Sequence, residues 1–433
     1  MTPLSITLEG FRRCLTEAEY NSSYGVCSAV PNNIVYTSDF CINYWIEVYN
    51  PSLNDRWTWD YYGPDGYPHL SSYWEYVWDE QAQRTIFRSD DGLELGGPFA
   101  SMYVGFATKN TPFIGQWRLE LRQNQELLTT EYFRIEPGLQ ITLPLDQQPY
   151  LLTESDLRAT ASIPFFAELA PGATTATINW TLGLAYQTTG GLFVDPGENI
   201  TFSTSPGEQA ARIFEGKGGR LTINASALIN GSTINAPAIN IYISGPTQIP
   251  NELIFTRLRD LYTGGETPSL MIGLAFEESS YRQFENITKY EQTLYWPLES
   301  RDGATGWGSH IGLMQVATQM GRAFDWHVNT QDGVSWFTGE KRTIALSREG
   351  EVRSEAQRLY KDRLPDLNDL QRENMTLVCY GPYASALTNM QYYYYEVIPL
   401  PNGKYECNWI INTLNNPNGV QYVTDVRDEA GNH

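Results

Sequence analysis

Between residues 34 and 246 the chain is built of short runs in which apolar and polar residues alternate. A period of two places one set of side chains on a common face of a strand, so this pattern constrains the fold more than any other feature. The stretch NIVYTSDFCINYWIEVYNP (residues 33–51) alternates and is rich in β-branched and aromatic residues. DRWTWDYYGPDG (55–66) ends in Pro-Asp-Gly, a turn in which Pro presets φ and Gly accepts a positive one. Residues 101–135 read as three strands with turns at Lys-Asn-Thr-Pro and Arg-Gln-Asn-Gln. The segment 136–149 marks a boundary, and the same style resumes from about 150 to 246 in ATINWTLGLAYQTTGG, GENITFSTS, GGRLTINASALINGS and AINIYISG. Two all-β immunoglobulin-like sandwiches are predicted, over 1–137 and 138–248.

Pro246 and Pro250 cannot continue a sheet ladder, and the pattern changes after them. NELIFTRLRDLYTGG puts Leu253, Ile254, Leu258 and Leu261 on one helical face and stops at Gly-Gly. The stretches 267–287 and 338–365 also read as helices. Residues 249–433 are therefore expected to form a mainly α domain ending in short β or irregular pieces.

The chain has 433 residues, too many for one ordinary core. Its net charge of −21 argues against sequence-independent binding of nucleic acid or anionic membranes, which needs clustered Lys and Arg. Polysaccharide, held by aromatics and hydrogen bonds, is not excluded. The 12 Trp and 28 Tyr residues fit cross-strand packing. Trp57 and Trp59 share one strand face, either stacking on sugar rings or filling a core. No apolar run is long enough to span a membrane, and the N-terminal residues lack a signal-peptide core. Four histidines and no Cys-x-x-Cys make a metal site unexpected, and no cofactor is implied. The five cysteines cluster as Cys14, Cys27 and Cys41, then Cys379 and Cys407. They read as one disulfide per cluster, Cys379–Cys407 the clearer, which implies an oxidising, extracytoplasmic compartment. Seven Asn-x-Ser/Thr sequons are read as chance occurrences.

The candidate chemistry centres on LAFEESSYRQFENIT (274–288). Helical neighbours differ by about 100° around the axis. Met271, Leu274, Ala275, Glu278 and Tyr281 thus share a face, and Glu277 points elsewhere, towards solvent or nearby basic residues. A carboxyl on an apolar face has its pKa raised and can act as a general acid. The alternative is a buried Glu278 paired with Arg282.

Glu278-Ser279-x-Tyr281, followed by Gly-rich residues 303–312 and Leu313-Met314-Gln315-Val316, resembles the lysozyme-like lytic transglycosylases over residues 250–433. The resemblance implies Glu278 as the sole catalytic carboxyl, with Ser279, Gly312, Met314, Gln315 and Tyr380 at the substrate. Tyr380 is matched to the tyrosine that approaches the Glu, although Gly381 stands where the family has Asn. Asn329 and Gly333 match a structural Asn-x-x-x-Gly pattern, and residues 419–429 a closing helix that packs. The implied activity is cleavage of the MurNAc-GlcNAc β-1,4 bond of peptidoglycan, ending in a 1,6-anhydro ring, without a metal. A hydrolytic goose-type-like lysozyme would add a second acid, Asp302 or Asp325, though these read respectively as a turn residue and a helix cap. A non-catalytic glycan-binding structural or assembly protein, docking partners through its β domains, is the reading from a different class.

Overall fold

The computed structural model describes residues 4–14, 28–29, 33–39, 41–96, 99–107, 114–153, 159–187, 194–229, 231–247, 249–265, 267–302, 306–316, 323–381, 387 and 391–433. The first unit is a sandwich of two sheets. One holds strands 28–29, 5–14, 41–49 and 99–107 in that order. The other runs 34–36, 126–136, 115–123, 56–62, 68–79, 84–89 and 94–96, antiparallel except for the first pair. Alternation sets the core: Trp57, Trp59 and Tyr61 from one strand meet Trp117, Leu119 and Leu121 from the next, all fully buried. Trp57 and Trp59 are thus core residues and present no ring to a sugar. Asn124 and Gln125 take φ of 50° and 77°, the positive pair that a two-residue hairpin turn needs. The expected turn at 109–112 lies outside the described residues.

The second sandwich pairs a three-stranded sheet (139–143, 160–169, 210–215) with a larger one. The larger sheet orders 149–151, 239–244, 219–229, 178–187 and 194–204, with 232–235 also on 219–229. Phe202 stacks on Trp180 at 5.8 Å, and the indole Nε1 donates to Thr204 Oγ1 at 3.0 Å.

Among the described residues the C-terminal unit contains six α-helices: α1 (Asn251–Leu261), α2 (Leu270–Ser279), α3 (Trp326–Trp336), α4 (Arg342–Tyr360), α5 (Asp369–Tyr380) and α6 (Pro417–Gly431). One π turn, Phe337–Lys341, joins α3 to α4. Among the described residues three antiparallel strand pairs lie between these helices: Phe284–Lys289 with Gln292–Pro297, Glu299–Asp302 with Gly306–Ile311, and Tyr393–Pro399 with Tyr405–Ile411.

This architecture corrects the expectation of a mainly α lysozyme-like domain, and with it the likeness to lytic transglycosylases. Among the described residues strand outweighs helix about two to one, and helices are confined to a C-terminal part interleaved with hairpins. The decisive segment is 267–287, read as one helix. It stops at Ser279, because Ser280 and Tyr281 adopt φ of 53° and 61°. Phe284 onward alternates and pairs with QTLYWP, whose aromatic and β-branched residues suit a pleated surface. Tyr281 therefore leaves the helical face on which periodicity placed it.

The predicted Cys379–Cys407 disulfide does not form. Cys379 on α5 belongs to the large core, while Cys407 packs with Val352, Ala356, Leu364 and Tyr395 in a separate small one. Both are free thiols. The other expected bridge, within the cluster Cys14, Cys27 and Cys41, rests on Cys27 and the Cys14 side chain, which lie outside the described residues. Among the described residues no helix is long and apolar enough to cross a membrane.

Cores divide between Ile135 and Leu139: the first sandwich has its own. From Leu139 to Val426 one continuous core joins the second sandwich to the helices. At that junction Tyr186 stacks on Trp296 at 5.7 Å, Phe324 meets both edge-on, and Tyr242 stacks on Tyr290 at 4.8 Å.

Candidate functional site

Helix α2 is buried from Leu270 to Ala275 and packs on α6. Gly273 permits this approach: a Cβ there would fall 2.0 Å from the Val426 carbonyl oxygen. Close packing carries the last turn of α2 against Tyr422. The Tyr422 hydroxyl donates to Glu278 Oε1 at 2.5 Å. Burial pushes the Glu278 carboxyl up to about 7, with a smaller push from Glu277, against the opposing effects of the Tyr422 hydrogen bond and the Lys341 charge. Near neutral pH Glu278 therefore exists partly as a carboxylic acid, able to donate a proton as well as accept one.

Glu277 is partly exposed, as its helical phase implies, but its charged neighbours are acidic and not basic. It lies against the acidic side of α6, and burial, then Asp425 and Glu429, raise its pKa. Arg282 makes no ion pair with Glu278; its Nε donates to the Ser279 carbonyl at 3.1 Å.

The other sequence-selected residues are occupied in holding the turn at residues 311–315. Asn329 on α3 clamps it, accepting from Met314 N at 2.8 Å and donating to Ile311 O at 2.9 Å. Gln283 accepts from Leu313 N at 2.8 Å and donates to Ala323 O at 3.0 Å. Gly312, at φ +77°, has no room for a side chain, since a Cβ would lie 2.5 Å from Gln283 Nε2. Gln315 donates back to Gly312 O at 2.8 Å. The Met314 side chain is fully buried, and its carbonyl accepts from the Tyr380 hydroxyl at 2.7 Å. Ser279 Oγ donates to Ala275 O at 3.0 Å, closing α2. The polar groups of Ser279 and Gln315 and the backbone of Gly312 and Met314 are thus engaged by the protein itself. Asp325 is the N-cap of α3, accepting from Val328 N at 3.1 Å, as its sequence position implied. The side chain of Asp302, and residues 303–305 of the Gly-rich loop, lie outside the described residues.

The tyrosine bonded to Glu278 is Tyr422 and not Tyr380. Tyr380 stays near enough for the Glu278 charge to raise its pKa, second to burial. Periodicity gave a signal for Tyr422, which shares an apolar stripe with Val423 and Val426 and was read only as packing. A tyrosine on a buried stripe needs a hydroxyl partner, which makes such a position informative. Trp336 and Lys341, at the junction of α3 and α4, were also missed. Trp336 sits edge-on to Tyr380 at 5.2 Å, and the Lys341 ammonium lies 4.0 Å from the Trp336 ring centroid. Two concavities, of about 380 and 530 Å³, are lined respectively by residues 280–284 and by residues 261–265 with Phe337 and Arg342, and neither is lined by Glu278. Among the described residues no group of His, Cys, Asp and Glu is arranged to hold a metal ion.

No family model matches the chain, and no curated protein matches its sequence. Among solved structures it is similar to the tandem immunoglobulin domains of DIP-gamma, with 8% identity over 57% of this chain and 99% of that one, at a TM-score of 0.21. The C-terminal domain of the Streptococcus agalactiae AgI/II polypeptide BspA gives 10% identity over 55% and 100%, at 0.27. Trypsin-activated alpha-2-macroglobulin from Escherichia coli gives 9% over 62% and 17%, at 0.23. Scores this low carry no assignment, so the description as paired β-sandwiches rests on the strand order itself.

Proposed function

We propose that the chain is a structural or assembly protein that holds a glycan, with peptidoglycan strands as the first candidate, at the C-terminal unit around Glu278. The supporting observation is the continuous core from Leu139 to Val426, which joins that unit to a β-sandwich. A load-bearing or docking protein needs such a joint, whereas a flexible linker would let the two units move apart. The first sandwich, with its separate core, supplies a second surface for a protein partner. At the site a carboxylic acid and a phenol lie side by side, a pair that donates and accepts hydrogen bonds as sugar hydroxyls require. Co-sedimentation with insoluble peptidoglycan tests this. Wild type and Glu278→Gln should both pellet with the polymer, and neither should release new sugar ends. Wild type remaining in the supernatant overturns the proposal.

A second reading follows from the protonation of Glu278. An acid poised near pH 7 can protonate a glycosidic oxygen as the bond breaks, so the same site would cut the strand it holds. Release of soluble fragments by wild type but not by Glu278→Gln would select this reading over simple binding.

A further inference from the structure

Lys341 closes the π turn Phe337–Lys341, and such turns often mark functional positions in helices. Its side chain is half-buried, and its ammonium lies over the ring of Trp336. Three donors sit on that nitrogen. Among the described residues it makes no hydrogen bond and no ion pair. Its charged or titratable neighbours are Glu340, Cys379 and Glu278. None is a settled counter-ion. Glu340 is exposed on the same turn. The Cys379 thiol is pushed up by burial to about 11 and stays neutral. Glu278 shares its proton with the solvent near neutrality. Burial lowers the pKa of Lys341, as expected for a cation that has lost water without gaining an anion. Trp336 contacts Tyr380, whose hydroxyl is fixed to Met314 and which lies within reach of the Glu278 charge, so the indole that seats the ammonium is anchored beside Glu278.

We propose that Lys341 recognises a carboxylate on the bound saccharide, selecting an acidic sugar over its neutral counterpart. This rests on the saccharide reading above and adds which saccharide is preferred. Isothermal titration compares N-acetylchitotetraose with the alternating N-acetylglucosamine–N-acetylmuramic acid tetramer, which carries the same backbone with added lactyl carboxylates. Wild type should favour the acidic tetramer by about tenfold or more, the range of a charge-assisted hydrogen bond. Lys341→Gln should bind both tetramers alike, and Lys341→Arg should keep most of the preference. The wild-type preference should also shrink as salt is raised. A preference that survives in Lys341→Gln, or equal binding of both by wild type, overturns the role of Lys341 and leaves the saccharide reading standing. Wild type that binds neither tetramer overturns both. Should Lys341→Gln fail to fold, the salt series on wild type decides, and a salt-independent preference overturns the proposal.

Discussion

The two β-sandwiches resemble each other in strand style and differ in how their cores end. The first encloses Trp57, Trp59, Trp117 and Phe133 between its own sheets, and its core stops at Ile135. The second continues through Tyr186 and Tyr242 into Trp296, Tyr290 and Phe324 of the C-terminal unit. A change of secondary structure near residue 248 is therefore not a change of core. The first sandwich has what it needs to fold alone, whereas the unit that carries Glu278 is completed by its β neighbour.

Calorimetry offers the strongest way to break this comparison. Trp296→Ala should lose about 3–5 kcal/mol, as large-to-small core changes do, and shift one transition shared by the second sandwich and the helices. Trp57→Ala should lose a similar amount from a different transition. A single transition moved by both substitutions would refute the division.

Acid and base separate the regions next. Glu278 titrates near 7 in the folded protein against an ordinary value of 4.5. A raised carboxyl binds its proton more tightly when folded, so its effect on stability is favourable below about pH 4.5 relative to alkaline pH. That advantage is lost as pH rises towards 7. Glu278→Gln should be more stable than wild type above pH 7, by up to about 3 kcal/mol, and the difference should fade by pH 4.5. The shared transition should carry the whole effect. An equal gain at all pH values would show that Glu278 is not held as described.

A smaller effect tests the junction itself. The Tyr186 hydroxyl donates to the buried Glu299 at 3.0 Å across the two units. Tyr186→Phe should lower the shared transition by about 1–3 kcal/mol and leave the first sandwich unchanged. The smallest change is expected from Glu277→Gln, which relieves repulsion from Asp425 and Glu429 at a partly exposed position. It should stabilise the helices by well under about 1 kcal/mol and leave glycan binding intact. A loss of binding would show that both members of the Glu-Glu pair serve the site.

Much of the β architecture was legible in the residues. Strand 56–62 alternates buried and less buried positions as RWTWDYY alternates, and the turn chemistry of Asn124 and Gln125 is local. Helix α1 also follows its periodic face. The helix expected over 267–287 was not legible to its end. Its left-handed stop at Ser280 and Tyr281 is secured partly by contacts from far along the chain, including the Tyr281 hydroxyl bond to Glu429 at 2.7 Å. Only the sheet partner Gln292–Pro297 decides that Phe284–Lys289 becomes a strand.

By itself, the sequence determined the alternating strands, the turns and the phase that separates Glu278 from Glu277, because each depends on residues within a few positions of one another. Tertiary structure decided which tyrosine reaches Glu278, that Cys379 and Cys407 stay apart, and that Lys341 lies against Trp336 beside the site. Those outcomes depend on how helices α2, α5 and α6 pack, and packing brings together residues such as Glu278 and Tyr422, whose separation along the chain gives no local signal.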